Sequence, residues 1–295
     1  MNPALVAALW MSGAIVSFTS MAVAGRAISL DLDTFEIMLY RSLLGIVIVL
    51  TVSSIVGTRR QITTRNMGLH LVRNISHFTG QNLWFFAVAT IPLAQVFSLE
   101  FTSPLWVVVL SPLILGEALT RSRVFAALLG FIGILIVTRP GTSEISPGVI
   151  AAALAAIGFA GSAVFTRRLT RTETITCILF WLTTLQAVFG LVCAGYDGDI
   201  ALPARSSVPL LGVIGCAGLI AHFCLTTALR IAPATVVMPI DFARLPVVAI
   251  IGALVYGEIL DPFVFIGAAI IFVGNYVNIL AESKNPATPR TVSEK

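Results

Sequence analysis

Shifted against itself by 141 residues, the chain lays its fourth apolar stretch on its ninth without a gap. Pro92 meets Pro233, Glu100 meets Asp241, Phe101 meets Phe242, Gly116-Glu117 meets Gly257-Glu258, and Gly133 meets Gly274. Self-similarity at one long, fixed period means a fold built twice on one plan. Each copy holds five apolar stretches. An odd number of crossings sends the second copy into a bilayer from the opposite side, so the two halves are expected to be inverted.

That the stretches are crossings follows from their length. A bilayer core needs about 20 apolar residues of helix. Breaks at polar, Gly or Pro clusters give spans of that size at 3–24, 34–56, 67–88, 92–115, 121–138, 147–166, 174–194, 207–229, 233–255 and 262–281. Composition agrees: 57% of residues are apolar and 11% charged, against roughly 25% charged in a soluble domain. Mean hydropathy is +0.98. The expected fold is an all-α membrane protein of ten transmembrane helices in two inverted five-helix repeats. Residues 1–140 form the first repeat, 147–281 the second, and 282–295 a polar, disordered cytoplasmic tail. Ala22-Val23-Ala24 resembles a signal-peptidase site. Residues 1–9 carry no Lys or Arg, however, and the apolar run has spanning length, so this first helix is expected to be retained.

Basic residues orient the chain. With the N-terminus inside, the cytoplasmic segments hold Arg59, Arg60, Arg65, Arg121, Arg123, Arg167, Arg168, Arg171, Arg230, Lys284, Arg290 and Lys295. The opposite loops hold Arg26, Arg139 and Arg205. This is a strong positive-inside bias, and both termini are expected to be cytoplasmic. The net charge of +4 sits in short loops and the tail, without a basic face, so nucleic acid is excluded as a partner. Cys177, Cys193, Cys216 and Cys224 lack metal or disulfide spacing and read as packing residues. No GxxxxGK[ST] run or long loop offers an ATPase module. No cofactor or metal is expected.

Ionisable groups inside a span cost a few kcal/mol each on insertion scales and ask for a reason. The third helix carries His70, Arg73, Asn74, His77 and Gln81 at spacings of three and four, leading to Trp84. Those spacings share one face, which must meet either a water-filled cavity or a hydrogen-bonded seam with a neighbouring helix. His70, near the end of the span, reads as interfacial. Glu100 and Asp241 each lie roughly 12 Å into their helices at 1.5 Å per residue and approach the midplane from opposite sides. There they bind a cargo ammonium or a coupling proton, or they pair with the intramembrane arginines Arg41, Arg73 and Arg244. Arg244, three residues after Asp241, suits a local pair, whereas Glu100 is left with Arg41 or Arg73. Three deep arginines against two carboxylates leave a surplus positive charge, which favours cargo bearing a carboxylate or phosphate.

Pro104, Pro112, Pro239 and Pro246 free carbonyls in the fourth and ninth helices and permit gating bends, packing alone being the alternative. Trp84, Phe85, Phe86, Phe101 and Trp106 are candidate walls for a flat cargo, though aromatics also face lipid. Glu117 and Glu258 end the fourth and ninth helices at opposite faces and read as structural or gate contacts. Asn74-Ile-Ser76 matches a glycosylation pattern but lies within a span.

The run Pro92-Leu-Ala before a Pro-containing helix, then Gly116-Glu117-Ala-Leu-Thr and a short Gly-spaced helix, returns as Pro233 through Gly257-Glu258-Ile-Leu. In these features the chain resembles the EamA-type members of the drug/metabolite transporter superfamily over nearly its whole length. The resemblance implies a ten-helix fold, a cell inner membrane location and alternating access around a central cavity. It names no single cargo, the superfamily including carriers of amino acids, vitamins, nucleoside derivatives and sugar nucleotides. The expected function is a secondary transporter of a small organic metabolite, not an enzyme. An intramembrane protease would need a second membrane Asp beside Asp241, and a channel would not need the inverted duplication. The expected partners are a small-molecule solute and the lipid bilayer, in a monomer or homodimer.

Overall fold

A computed structural model describes residues 3–29, 31–115, 121–139, 145–196, 198–232 and 237–284. Gly116, Glu117, Pro233 and the tail from 285 onward lie outside these residues. The described residues form the helices α1 (Pro3–Ile28), α2 (Thr34–Ile55), α3 (Met67–Thr90), α4 (Leu93–Glu100), α5 (Ser103–Leu115) and α6 (Arg121–Thr138). The second half supplies α7 (Pro147–Leu169), α8 (Ile175–Ala194), α9 (Val208–Ile231), a 3-10 turn (Met238–Ala243), α10 (Arg244–Tyr256) and α11 (Pro262–Lys284). Six stretches are long and apolar enough to cross a membrane by length and composition alone, and α6, α10 and α11 contain shorter apolar helices. Counting α4 with α5, and the 3-10 turn with α10, as one crossing each gives the ten segments of an all-α membrane fold.

Local chemistry sets the ends. Asp33 caps α2, its side chain accepting from the Glu36 N–H at 2.8 Å while Glu36 reaches back to the Asp33 N–H at 3.1 Å, a reciprocal box that satisfies two orphan donors. Ser146 caps α7 just before Pro147, where the missing proline N–H costs nothing. Gly257 closes α10 with φ +64°, a left-handed position that suits glycine. The shift of 141 residues carries Met67–Thr90 onto Val208–Ile231 and Ser103–Leu115 onto Arg244–Tyr256, end for end. The repeat is therefore a repeat of backbone as well as of letters.

Packing joins the halves around a two-fold axis. α1 runs along α9, and its equivalent α7 runs along α3. The equivalent pairs α2 with α8 and α6 with α11 pack against each other directly. Small residues permit the close crossings, as expected where lipid supplies no hydrophobic drive between helices. At the α3–α7 crossing a Cβ on Gly158 would lie 2.7 Å from the Gly80 Cα. Gly158→Val is therefore expected to destabilise the protein by about 1–3 kcal/mol through overpacking. The measurement is the melting temperature in detergent, and an unchanged value would mean that the two backbones do not meet.

At the end of the bundle where α3 begins, turns from both halves are clasped together. Asn66 and the Thr63 hydroxyl donate to the Glu173 carboxylate, and the Trp181 indole donates to the Thr63 carbonyl at 2.7 Å. Burial would raise the Glu173 carboxyl, but hydrogen bonds from Asn66, Cys177 and Thr63 outweigh it and hold the group below its ordinary value. His70, expected at the interface, is fully buried here. Its ring lies 6.3 Å from that of Trp181. α8 covers this end of α3, with Cys177 Sγ 3.9 Å from His70 Nε2.

Candidate functional site

Both membrane carboxylates stand where their crossings are interrupted. Glu100 is the last residue of α4. Phe101 and Thr102 turn, and Pro104 enters the first turn of α5, where its lost N–H has no helical acceptor to miss. Asp241 lies in the 3-10 turn that also contains Pro239, and Pro246 occupies the first turn of α10. The spans expected over 92–115 and 233–255, with bends allowed at their prolines, thus both leave regular α-helix at equivalent places. The first does so by a turn at Phe101 and Thr102, the second by 3-10 geometry over Met238–Ala243; residues 233–236 lie outside the described ones. Backbone of this kind is tolerated at membrane depth only where protein or a cavity surrounds it.

The two breaks meet at one cation. Arg244 donates to Glu100 Oε1 at 2.7 Å and to Asp241, and the Trp84 indole donates to Glu100 Oε2 at 2.7 Å. The guanidinium lies over Phe18 at 5.0 Å and Phe97 at 4.6 Å from the ring centres, a stacking that a planar cation permits and an ammonium does not. The local pair of Arg244 with Asp241 is present. The expectation that Glu100 reaches Arg41 or Arg73 is corrected: the interruption of both crossings turns Glu100 towards the start of α10, so one arginine serves both carboxylates.

A narrow cavity opens beside this cluster. Its walls come in equivalents under the 141-residue shift: Phe18 with Phe159, Met21 with Ser162, Gln81 with His222, Trp84 with Leu225, Glu100 with Asp241, and Ser103 with Arg244. The cavity therefore sits on the two-fold axis. The further lining residues Met11, Arg73, Thr166 and Thr226 lie towards the end where α1 begins, so the space extends off the axis in that direction.

The polar face of α3 divides between the two surroundings that its spacing allowed. Arg73, His77, Gln81 and Trp84 line the cavity. Asn74 turns into a seam, accepting from Arg73 Nη1 at 3.0 Å and from Gln186 of α8 at 3.1 Å, and Arg73 Nε donates to Thr166 at 3.1 Å. Arg41 lies on a smaller cavity that also touches Gln186 and His222. His222 is a wall of both cavities, so Arg41 is a near neighbour of the larger one. Arg244 is paired with Glu100 and Asp241, while Arg73 bonds Thr166 and Asn74. Among the candidate aromatics Trp84 lines the cavity, while Phe101 and Trp106 pack into the core.

Several lining residues escaped the reading of the sequence, His222, Phe18 and Phe159 among them. The repeat carried the signal, since His222 falls on Gln81 and Phe159 on Phe18. The rings of His77 and His222 meet edge to face at 4.6 Å. Gln81 Oε1, His77 Nε2 and both ring nitrogens of His222 are buried without a hydrogen bond inside the protein. Each such atom costs about 1–3 kcal/mol unless something entering the cavity satisfies it.

Beyond the axis the end where α1 finishes is shut. Arg26 donates to the Ile91 carbonyl at 2.8 Å and pairs with Glu258 Oε1 at 2.8 Å. Glu258 Oε2 accepts from the Leu93 N–H at 2.9 Å, and the Tyr256 hydroxyl donates to the Val23 carbonyl at 2.8 Å. These contacts tie α1, α3 and α4 of the first half to the end of α10 in the second.

The model of the EamA-like transporter family matches residues 5–139 and again 146–280, the two halves of the fold. A riboflavin transporter of Vibrio cholerae is 29% identical over 293 residues, covering 98% of each chain. A riboflavin transporter of Brucella anthropi is 33% identical over 232 residues, covering 77% of this chain and 81% of that one. An S-adenosylmethionine uptake transporter of Rickettsia felis is 26% identical over 275 residues, covering 93% and 92%. A solved crystal structure shares the fold with a TM-score of 0.70 at 19% identity, covering 94% of this chain and 98% of its own.

Proposed function

Because the chain belongs to the EamA-like transporter family and is a multi-pass membrane transporter of small organic metabolites, we propose that it moves a flat, hydrogen-bonding heterocyclic solute across the cell inner membrane by alternating access. The observation that carries this reading is the cavity on the two-fold axis, walled by equivalent residues of both halves. A site on the axis of an inverted repeat is where rocking one half against the other exposes a bound solute first to one side and then to the other. Phe18, Phe159 and Trp84 supply apolar walls. The pairing of Arg244 with Glu100 and Asp241 leaves room for a neutral or zwitterionic solute. Riboflavin and S-adenosylmethionine, named for its relatives, both contain flat heterocycles with hydrogen-bonding edges.

The repeat also supports two mirrored closures. Under the shift Arg26 falls on Arg167, Ile91 on Ala232, Leu93 on Ala234 and Glu258 on Glu117. Arg167 donates to the Leu229 carbonyl, and to that of Arg230 at 3.3 Å, at the end of α9, as Arg26 does at the end of α3. With both termini cytoplasmic, as the basic residues favour, the Arg26 closure faces outward and the Arg167 contacts face inward, Glu117 and Ala234 lying outside the described residues.

Vesicles reconstituted with the protein and preloaded with unlabelled riboflavin or S-adenosylmethionine test the reading. Labelled solute should enter by counterflow and saturate with concentration. Flux that rises linearly without saturation would replace the carrier by a pore.

A further inference from the structure

Resting on that reading, we propose that Gln81 and His222, with His77 beside them, read the hydrogen-bonding edge of the heterocycle and so decide which solute is carried. The charged groups of the cavity already have protein partners: Arg244 holds Glu100 and Asp241, and Arg73 bonds Thr166 and Asn74. Asp241 Oδ1 and Arg244 Nε are also buried without a hydrogen bond, but they belong to that ion-paired cluster. The unmet atoms of the lining outside it are on the neutral side chains His77, Gln81 and His222. Gln81 is 2% exposed and His222 3%, and both line the cavity. They occupy equivalent positions on α3 and α9, so they face the axis from its two sides.

An amide and an imidazole each present one donor and one acceptor. Set across a narrow space, they match an edge on which donors and acceptors alternate, as on a uracil-like or adenine-like ring. A carboxylate or phosphate would instead seek the guanidinium groups. The walls suit the same class. Phe18 lies edge-on to His222 at 5.7 Å, and its equivalent Phe159 lies 6.1 Å from His77. Sites that bond a particular donor reject an analogue lacking it far more strongly than apolar pockets reject an extra methyl.

The test is equilibrium binding to purified full-length protein in detergent, with riboflavin and S-adenosylmethionine as probes. Each probe is paired with its edge-methylated derivative, 3-methylriboflavin or the N6-methyladenine analogue. The wild type should bind at least one parent probe and bind its methylated derivative at least tenfold more weakly. Gln81→Ala and His222→Ala should each raise Kd for the parent at least tenfold and reduce the discrimination against the methylated form to about twofold. His222→Gln, which keeps a donor and an acceptor, should recover part of both. Either alanine variant alone suffices if the other does not fold. If the wild type binds neither probe, the heterocyclic cargo falls and this assignment with it. If it binds one and every folded alanine variant keeps both affinity and discrimination within twofold, the edge-reading role alone is overturned.

Discussion

Arg244→Ala is expected to destabilise the protein by about 3–5 kcal/mol, the usual cost of removing one partner from a buried ion pair. The side chain is 1% exposed, and its cation is shared by Glu100 and Asp241. Without it the two carboxylates face each other at the meeting of two broken crossings, where low dielectric magnifies their repulsion. The lost stacking on Phe18 and Phe97 adds about 0.5–2 kcal/mol. The readouts are yield and melting temperature in detergent. Arg244→Lys should recover only part of the loss: one nitrogen, Nη2, serves both carboxylates here, but the shorter ammonium side chain loses the planar group that lies over Phe18 and Phe97. A melting temperature within a degree or two of wild type would show that the cation does not hold the breaks together. Asp241→Asn is milder: it keeps the shape and one arginine–carboxylate pair, so the protein should fold while counterflow is lost. Wild-type counterflow in that variant would remove Asp241 from the transport cycle.

Glu258→Gln should unfasten the closure at the end where α1 finishes. The carboxylate is ion-paired with Arg26 at 2.8 Å and accepts from the Leu93 N–H at 2.9 Å, and its side chain is 8% exposed. A hydrogen bond to a charged group contributes about 1.5–3 kcal/mol, so losing the charge, and the ion pair with it, shifts a two-state closure by tenfold or more. A cysteine placed at Ser103, in a background with the native cysteines replaced, reports the change. An impermeant maleimide applied from the Arg26 side should label it at least tenfold faster in the Glu258→Gln variant. Equal labelling rates would mean that the ion pair decorates a closure made by something else.

Apolar length together with breaks at polar, Gly or Pro clusters placed the described helices to within a few residues, although the polar face of α3 keeps that helix below a purely hydropathic threshold. They did not show the interruptions after Glu100 and before Arg244. A two-residue turn barely changes a window average, and only Pro104 and Pro246 hinted at it. Partners across the fold were less legible than positions along it. The spacing of Asp241 and Arg244 displayed their local pair, but the pairing of Glu100 with Arg244 depends on how α4 meets α10. Counting arginines did not say where each one sits: Arg41 lines a smaller cavity that shares His222 with the larger one. His222 reads as an isolated polar residue in an apolar helix until α9 is laid on α3.

A cavity bisected by a two-fold axis has a consequence for binding entropy and for direction. Were the halves identical, an asymmetric solute would have two indistinguishable poses, and no contact could favour one over the other. The walls remove that degeneracy at specific places: Arg244 opposite Ser103, His222 opposite Gln81, Trp84 opposite Leu225 and Met21 opposite Ser162. A pair of identical half-length chains would have to change both sides of the cavity with every mutation. One continuous chain changes them singly, so it can hold a solute in one orientation and keep that polarity as either face opens.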